Sequence, residues 1–233
     1  MLCGLPSATQ PGHARVDLMA IVDRYTHIIW DWNGTLLDDL DWCLTCINTM
    51  LARRNLPLLD STEDYRQVFG FPIKDYYQRV GFDFTAEPFE VLADEYIELY
   101  NSAAAWSLFP DAEKALEITR RYGLVQVILS AQESKALQEQ VKACQVDAFF
   151  DAIVGLSDNL AASKLAVGQA YFRQAKPGAA LMIGDTTHDK AVAEGLGADC
   201  ILVAQGHHSE VKLAACGVPV FPDLTGVLGY LQD

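Results

Sequence analysis

The stretch Ile28–Asp39, IIWDWNGTLLDD, decides the fold. Its apolar run Ile28-Ile29-Trp30 ends at Asp31, the turn residues Asn33, Gly34 and Thr35 come next, and a second acidic pair closes it at Asp38-Asp39. A short, continuous apolar run bounded by turn signals reads as a strand buried on both faces, the habit of parallel sheets. Gly34 marks the tight turn. A carboxylate delivered into such a turn stands at the carboxyl edge of the sheet, where open α/β sheets bind their ligands.

The rest of the chain repeats the pattern. Candidate strands lie at 27–31, 125–129 (VQVIL), 151–155 (DAIVG), 180–184 (ALMIG) and 200–204 (CILVA). Amphipathic helical stretches separate them: DAEKALEITRRYG from Asp111, ESKALQEQVKACQ from Glu133, AASKLAVGQAYFRQA from Ala161 and HDKAVAEGLG from His188. Alternating short strands and helices predict an α/β chain with a Rossmann-like parallel-sheet core. Residues 40–108 break the alternation. They show helical periodicity, no convincing strand and many aromatic residues, so they read as a helical insert after the first strand. The expected organisation is a core of 19–39 and 109–233, a helical cap of 40–108 and a flexible extension of 1–18. The extension lacks the basic start and sustained apolar run of a secretory signal, and Met19 is an alternative start.

Composition narrows the function. The 233 residues carry a formal net charge of -14, which excludes a nucleic-acid surface built from clustered Lys and Arg. An anionic substrate must then be drawn in by a local site, with a metal, against the global field. Half the residues are hydrophobic, 51%, but no apolar run reaches the roughly 18 residues of a membrane span. Six scattered cysteines suit a reducing cytoplasm better than a disulfide framework. The pair Cys43 and Cys46 lies in a helical stretch without further ligands and reads as two small apolar residues rather than a zinc site.

The residues just beyond each predicted strand carry chemistry. Asp31 comes after the first, Ser130 after the second and Asp185 and Asp189 after the fourth, while Lys164 opens the helix after the third. Carboxylates gathered at one edge repel one another and need a cation. Hard oxygen ligands with a partly hydrated shell suit magnesium. Glycine turns at Gly34 and Gly184 let backbone approach an anion. With a hydroxyl and an ammonium alongside, this is a device for phosphoryl transfer, with Asp31 attacking phosphorus to form an aspartyl-phosphate.

DWNGTLLD at 31–38, Ser130, Lys164 and GDTTHD at 184–189, in this order, resemble the four motifs of the haloacid dehalogenase (HAD) superfamily, in its phosphoglycolate-phosphatase-like branch. The resemblance runs from about residue 25 to the end, and the 40–108 insert matches that branch's helical cap. It implies a HAD-type phosphatase acting on a small phosphorylated metabolite, phosphoglycolate first, as a monomer or homodimer. It makes Asp31 the nucleophile and gives magnesium to Asp31, the backbone carbonyl of Asn33 and Asp185, with Asp189 supporting the metal's water shell. Phosphate would be held by Gly34, Thr35, Ser130, Ala131 and Lys164.

Asn33 departs from the pattern, since these phosphatases carry an Asp there that protonates the leaving alcohol and then activates water. An amide can hydrogen-bond but can do neither, and a lost general acid-base costs on the order of 10²- to 10⁴-fold. Three readings are open: a selective phosphatase, with His188 a candidate proton donor; a hydrolase of the carbon–phosphorus bond, like phosphonoacetaldehyde hydrolases, using Lys74 of the cap as a Schiff-base amine; or a non-catalytic relative that binds a phosphorylated ligand. Asp38 and Asp39 read as the start of the first cap helix. His207 and His208 read as surface loop, with the rim of the cleft as the alternative.

Overall fold

The computed structural model describes residues 24–157 and 163–232. The expected extension 1–18 lies outside them. Six parallel strands form one sheet: β1 (His27–Trp30), β2 (Val125–Glu133), β3 (Ala152–Leu156), β4 (Ala180–Gly184), β5 (Asp199–Val203) and β6 (Val220–Phe221), in the spatial order β3-β2-β1-β4-β5-β6. The α/β expectation holds. β1 is central, with Ile29 opposite Val127 on one side and Met182 on the other.

Alternation along each strand builds a core on either face. Ile28 and Trp30 join Ile128, Leu181 and Ile183 on one face, against helices α5 (Ala112–Arg121), α6 (Ser134–Ala143) and α10 (Leu224–Gln232). Ile29 joins Leu129, Met182 and Leu202 on the other, against α7 (Lys164–Ala175), α8 (Thr187–Leu196) and α9 (Glu210–Ala214). The one polar residue inside VQVIL is satisfied. Gln126 accepts from the Trp30 indole at 3.0 Å and donates to the Leu116 carbonyl at 3.0 Å, so its amide costs little where it lies.

The strands lie within a residue of their expected bounds, with two exceptions. β2 runs on to Glu133 across a register shift after Leu129. The two-residue β6 is absent from the expected strands, because Pro219 and Pro222 flank it and remove strand signal.

Between β1 and α5 come four helices, α1 (Leu40–Arg53), α2 (Thr62–Val68), α3 (Ile73–Arg79) and α4 (Phe89–Asn101). They enclose a cluster of their own that includes Ile47, Met50, Tyr65, Tyr76 and Leu92, with Cys43 and Cys46 inside it. The chain leaves and returns side by side, where Asp38 N–H donates to the Ser107 carbonyl and Phe109 N–H to that of Leu36. α2 also reaches the sheet layer. The Arg66 guanidinium donates to the carbonyls of Gly206 at 2.8 Å and Gln205 at 2.9 Å.

Leu92 on α4 is fully buried in the helical cluster, whereas Val211 on α9 is 83% exposed. Leu92→Ala is expected to lower unfolding free energy by about 2–5 kcal/mol, and Val211→Ala to change it by no more than about 0.5 kcal/mol; urea midpoints measure both.

Candidate active site

The carboxyl ends of the strands bring the predicted residues together. Asp31 comes directly after β1, Ser130 lies on β2, Asp185 comes directly after β4, and Lys164 and Asp189 occupy the first turns of α7 and α8. α8 starts with a capping box, in which Asp189 Oδ2 accepts from Thr186 N–H and hydroxyl at 2.9 and 2.6 Å. That fixes Asp189 and leaves its Oδ1 facing Lys164. The Lys164 ammonium donates to Asp31 Oδ1 at 2.6 Å and Asp189 Oδ1 at 2.5 Å. Ser130 Oγ accepts from Gln132 N–H at 3.1 Å, which leaves its proton for an acceptor in the cavity.

Asp31, Asp185 and Asp189 are all buried, with carboxylate oxygens within 4.8 Å of one another. Burial, then the Asp189 charge, raises Asp31 well above the usual carboxylate range. Burial pushes Asp185 up to about 6. For Asp189, burial acts upward, but the Lys164 charge and hydrogen bond outweigh it and hold it low. Lys164 loses from burial and gains more from the two carboxylates, so it stays charged. Glycines make room for this set. A Cβ at Gly34 or Gly206 would collide with Asp185 Oδ2, and one at Gly184 with Asp189 Cγ. The crowded hard-oxygen donors, with more negative charge than Lys164 balances, fit a divalent cation.

Gly34 and Thr35 are placed otherwise than expected. Gly34 N–H donates to the Leu37 carbonyl at 2.9 Å and to Asp39 Oδ1 at 3.0 Å, and Thr35 N–H to the Trp32 carbonyl at 3.3 Å. The Thr35 hydroxyl donates to Asp185 Oδ1 at 3.0 Å. These groups are spent on the loop and on Asp185, so neither amide is free for a phosphate. Ala131 lines the cavity beside Ser130. Lys74 does not line it. Its ammonium lies on the exposed side of α3, over the rings of Phe84 and Phe89 at 5.4 and 5.8 Å.

Three buried residues, Asp39, His207 and His208, are not accounted for by their expected places alone. Asp39 precedes α1 but makes no capping bond with its side chain. Instead Oδ2 accepts from Asn33 Nδ2 at 2.8 Å and from the Tyr100 hydroxyl at 2.7 Å, and Oδ1 lies 3.3 Å from His207 Nε2. His207 and His208, expected in a surface loop, are 5% and 3% exposed. Burial alone would lower His207, but the Asp39 carboxylate raises it to about 9. The His207 charge holds Asp39 below its usual range against burial. Asn33 Nδ2 also donates to Tyr100 Oη at 2.6 Å, so the amide's proton-bearing side is occupied and Oδ1 is left as an acceptor. No local pattern announces this network, because its members are 6 to 174 residues apart in a chain whose turn chemistry explains each one separately. The sole hint is the position of His207 after a strand end.

Above these groups is a cavity of about 380 Å³, with Asp31, Asn33, Ser130 and Lys164 at its base and the four-helix insert over it. His188 lines it, stacked on Phe71 at 4.4 Å between centroids, and burial lowers its pKa.

The profile of the haloacid dehalogenase-like hydrolases matches residues 28–203. The chain belongs to that family. Its curated relatives include a phosphoglycolate phosphatase of Caulobacter vibrioides, 26% identical over 198 residues that cover 78% of this chain and 81% of the relative. A probable phosphatase, IndB, of Dickeya dadantii is 23% identical over 205 residues, covering 84% and 88%. A HAD-like hydrolase structure from Streptococcus pneumoniae superposes with a TM-score of 0.78 at 21% identity, covering 90% of this chain and all of that one. This chain is thus a HAD hydrolase of the phosphatase-like kind. Among the described residues, no helix is long and apolar enough to cross a membrane.

The Asp39–His207 pair has a pH signature. The His207 pKa of about 9 lies above the ordinary 6.5, so its stabilisation is complete below about pH 6.5 and lost as pH rises through 9. The depressed Asp39 pKa acts at the other end, lost only as pH falls below the carboxylate range. The stability difference between the unaltered chain and Asp39→Asn, without added metal, is expected to be largest near pH 6 and to shrink towards pH 9. Urea unfolding across that range checks it; a pH-independent difference would contradict the ion pair.

Proposed function

We propose that this HAD hydrolase cleaves a phosphate monoester with magnesium as cofactor, through an aspartyl-phosphate on Asp31. The observation that carries the reading is the contact of Asp31 with Lys164 at the base of the cavity. Lys164 holds Oδ1, while Oδ2 accepts no hydrogen bond among the described residues. A carboxylate oriented by an ammonium and open on one oxygen is suited to attack phosphorus.

Asp31, Asp185 and the Asn33 carbonyl would hold the magnesium, with Asp189 behind them; when bound it supplies Lewis-acid stabilisation of the phosphoryl charge. Lys164 neutralises phosphoryl oxygens that come to its side, and the Ser130 hydroxyl donates to one of them. Asn33 supplies no proton to the leaving group. Its Oδ1, held by the bonds of Nδ2 to Asp39 and Tyr100, is an acceptor for the water that later attacks the aspartyl-phosphate. The helical insert acts as a cap that shields the reaction from bulk water. Phosphoglycolate heads the candidate substrates by resemblance alone. Cleavage of a carbon–phosphorus bond by Lys74 has less support, because Lys74 is exposed and does not line the cavity, its ammonium lying over the Phe84 and Phe89 rings. The intact Asp31, Lys164 and Asp185 set weighs against a non-catalytic relative. The five described cysteines are free thiols, in keeping with a reducing cytoplasm.

Asp31→Asn is expected to abolish phosphate release from p-nitrophenyl phosphate with magnesium and to leave the circular dichroism spectrum unchanged. Undiminished release would sink the nucleophile assignment. Chelation by EDTA should stop the unaltered enzyme, and magnesium should restore it. Asn33→Asp is expected to raise kcat on alkyl phosphates by about 10²-fold or more, the scale of a general acid; an unchanged kcat would place the proton donor elsewhere.

A further inference from the structure

We propose that the substrate's leaving group is an aryl alcohol: the site selects phosphate monoesters of phenol-like hydroxyls over small anionic alkyl phosphates such as phosphoglycolate. This rests on the phosphatase reading above and narrows its substrate class.

The cavity is too large and too apolar for a glycolate. Its 380 Å³ falls within the range of about 300–1,000 Å³ that holds drug-sized ligands. The insert's part of the lining is mostly rings, among them Phe69, Phe71, Tyr76, Tyr77, Phe89 and Tyr96, with Asp94 and Asn101 as its polar side chains that are not aromatic. They hold one another in place by edge contacts: Phe69 with Phe71 at 5.7 Å, Phe69 with Tyr76 at 5.2 Å and Tyr77 with Phe89 at 5.6 Å. A wall of mutually braced rings offers faces and edges to another ring, and the geometry of aromatic pairing rewards a flat apolar guest over a flexible polar one.

Charge points the same way. The carboxylate of phosphoglycolate would need a cation in the cavity beyond the phosphate site. Among the described residues the cations that line it are already paired, Lys164 with Asp31 and Asp189, and His207 with Asp39. The insert contributes Asp94 to the lining and no Lys or Arg. Its Arg54 is held by Glu87 and Glu95, and its Arg66 by the Gly206 and Gln205 carbonyls. A second carboxylate would enter with no cation among the described residues free to pair with it, beside Asp94 and Glu133, and with neutral donors such as the unpartnered Gln132 amide in place of one.

The third observation is independent of the wall. Asn33 cannot protonate a departing oxygen. An alkoxide leaves with a basicity near that of hydroxide, whose parent water has a pKa of about 15.7, and needs that proton. A phenolate, like the tyrosine side chain with a pKa of about 10, does not. In the first step Asp31 Oδ2 bonds to phosphorus, the phosphorus–aryl oxygen bond breaks with its electron pair on oxygen, and the phenolate takes a proton from solvent after leaving. In the second step a water oxygen bonds to phosphorus, the bond to Asp31 breaks with its pair returning to the carboxylate, and the water's proton passes to solvent.

Four compounds separate size from leaving group: phenyl phosphate, 2-phenylethyl phosphate, acetyl phosphate and phosphoglycolate. With the full chain and magnesium, kcat/KM for phenyl phosphate is expected to exceed that for phosphoglycolate by about 100-fold or more, the scale of the missing acid. It should also exceed 2-phenylethyl phosphate, which has the ring but a poor leaving group, and acetyl phosphate, which has the leaving group but no ring. Calorimetric binding of benzylphosphonate but not phosphonoacetate would support the ring site without turnover. Ala93→Arg, which puts a cation in the lining, should lower kcat/KM for phenyl phosphate by about tenfold or more relative to phosphoglycolate. Phosphoglycolate turned over as well as phenyl phosphate would overturn the aryl proposal and leave the phosphatase reading standing. Preference for acetyl phosphate or for 2-phenylethyl phosphate would likewise overturn it. Phosphate release from none of the four would remove both readings.

Discussion

Three carboxylates, Asp31, Asp185 and Asp189, are crowded into a space where no two of their ligand oxygens are more than 4.8 Å apart, and all three are buried. Like charges so close in a poorly hydrated place repel strongly, and much of the surrounding structure answers that repulsion. Lys164 bonds to two of them. The third, Asp185, receives the Thr35 hydroxyl and the His207 amide instead. Glycines at 34, 184 and 206 remove the Cβ atoms that would collide with the carboxylates. The residual negative charge is what suits the place to a cation.

Beside that set lies a second charge balance, Asp39 with His207, which bears on the first through shared residues. His207 gives its backbone N–H to Asp185 and its ring to Asp39. Asp39 in turn holds the Gly34 amide and the Asn33 side chain. The loop after Asp31 is thus fixed from both sides, by the clustered carboxylates and by the ion pair. Because Tyr65 of α2 contacts His207 Nδ1 at 3.2 Å and Tyr100 of α4 contacts Asp39, the helical insert is tied to the same network. The seat of the insert over the cavity therefore bears on how the Asn33 side chain is held.

Legibility tracks the range of the forces involved. The strand at IIW, the turn at Gly34 and the helix beginning at GDTTHD are local, since burial on both faces, a positive φ of 71° and a capping box leave marks within a few residues. The two-residue β6 leaves none. Asp39 reads as a helix start, and it does stand there, but its carboxylate turns inward because a buried imidazolium and a buried amide offer it more than the exposed helix end. The histidines at 207 and 208 resemble loop residues, and the packing of Phe69 and Tyr65 against them is what buries them.

By itself the sequence determined the α/β alternation, the helical insert after the first strand and the residue types at the strand ends, because periodicity and turn chemistry act over short distances. Only the tertiary structure decided which groups are free and which are spent. It committed the Gly34 and Thr35 amides to the loop, sent Lys74 away from the cavity, paired Asp39 with His207 and lined the roof with rings and no free cation. These outcomes depend on partners remote along the chain or on competition among several acceptors for one donor, and such contests are resolved only when the chain has closed on itself.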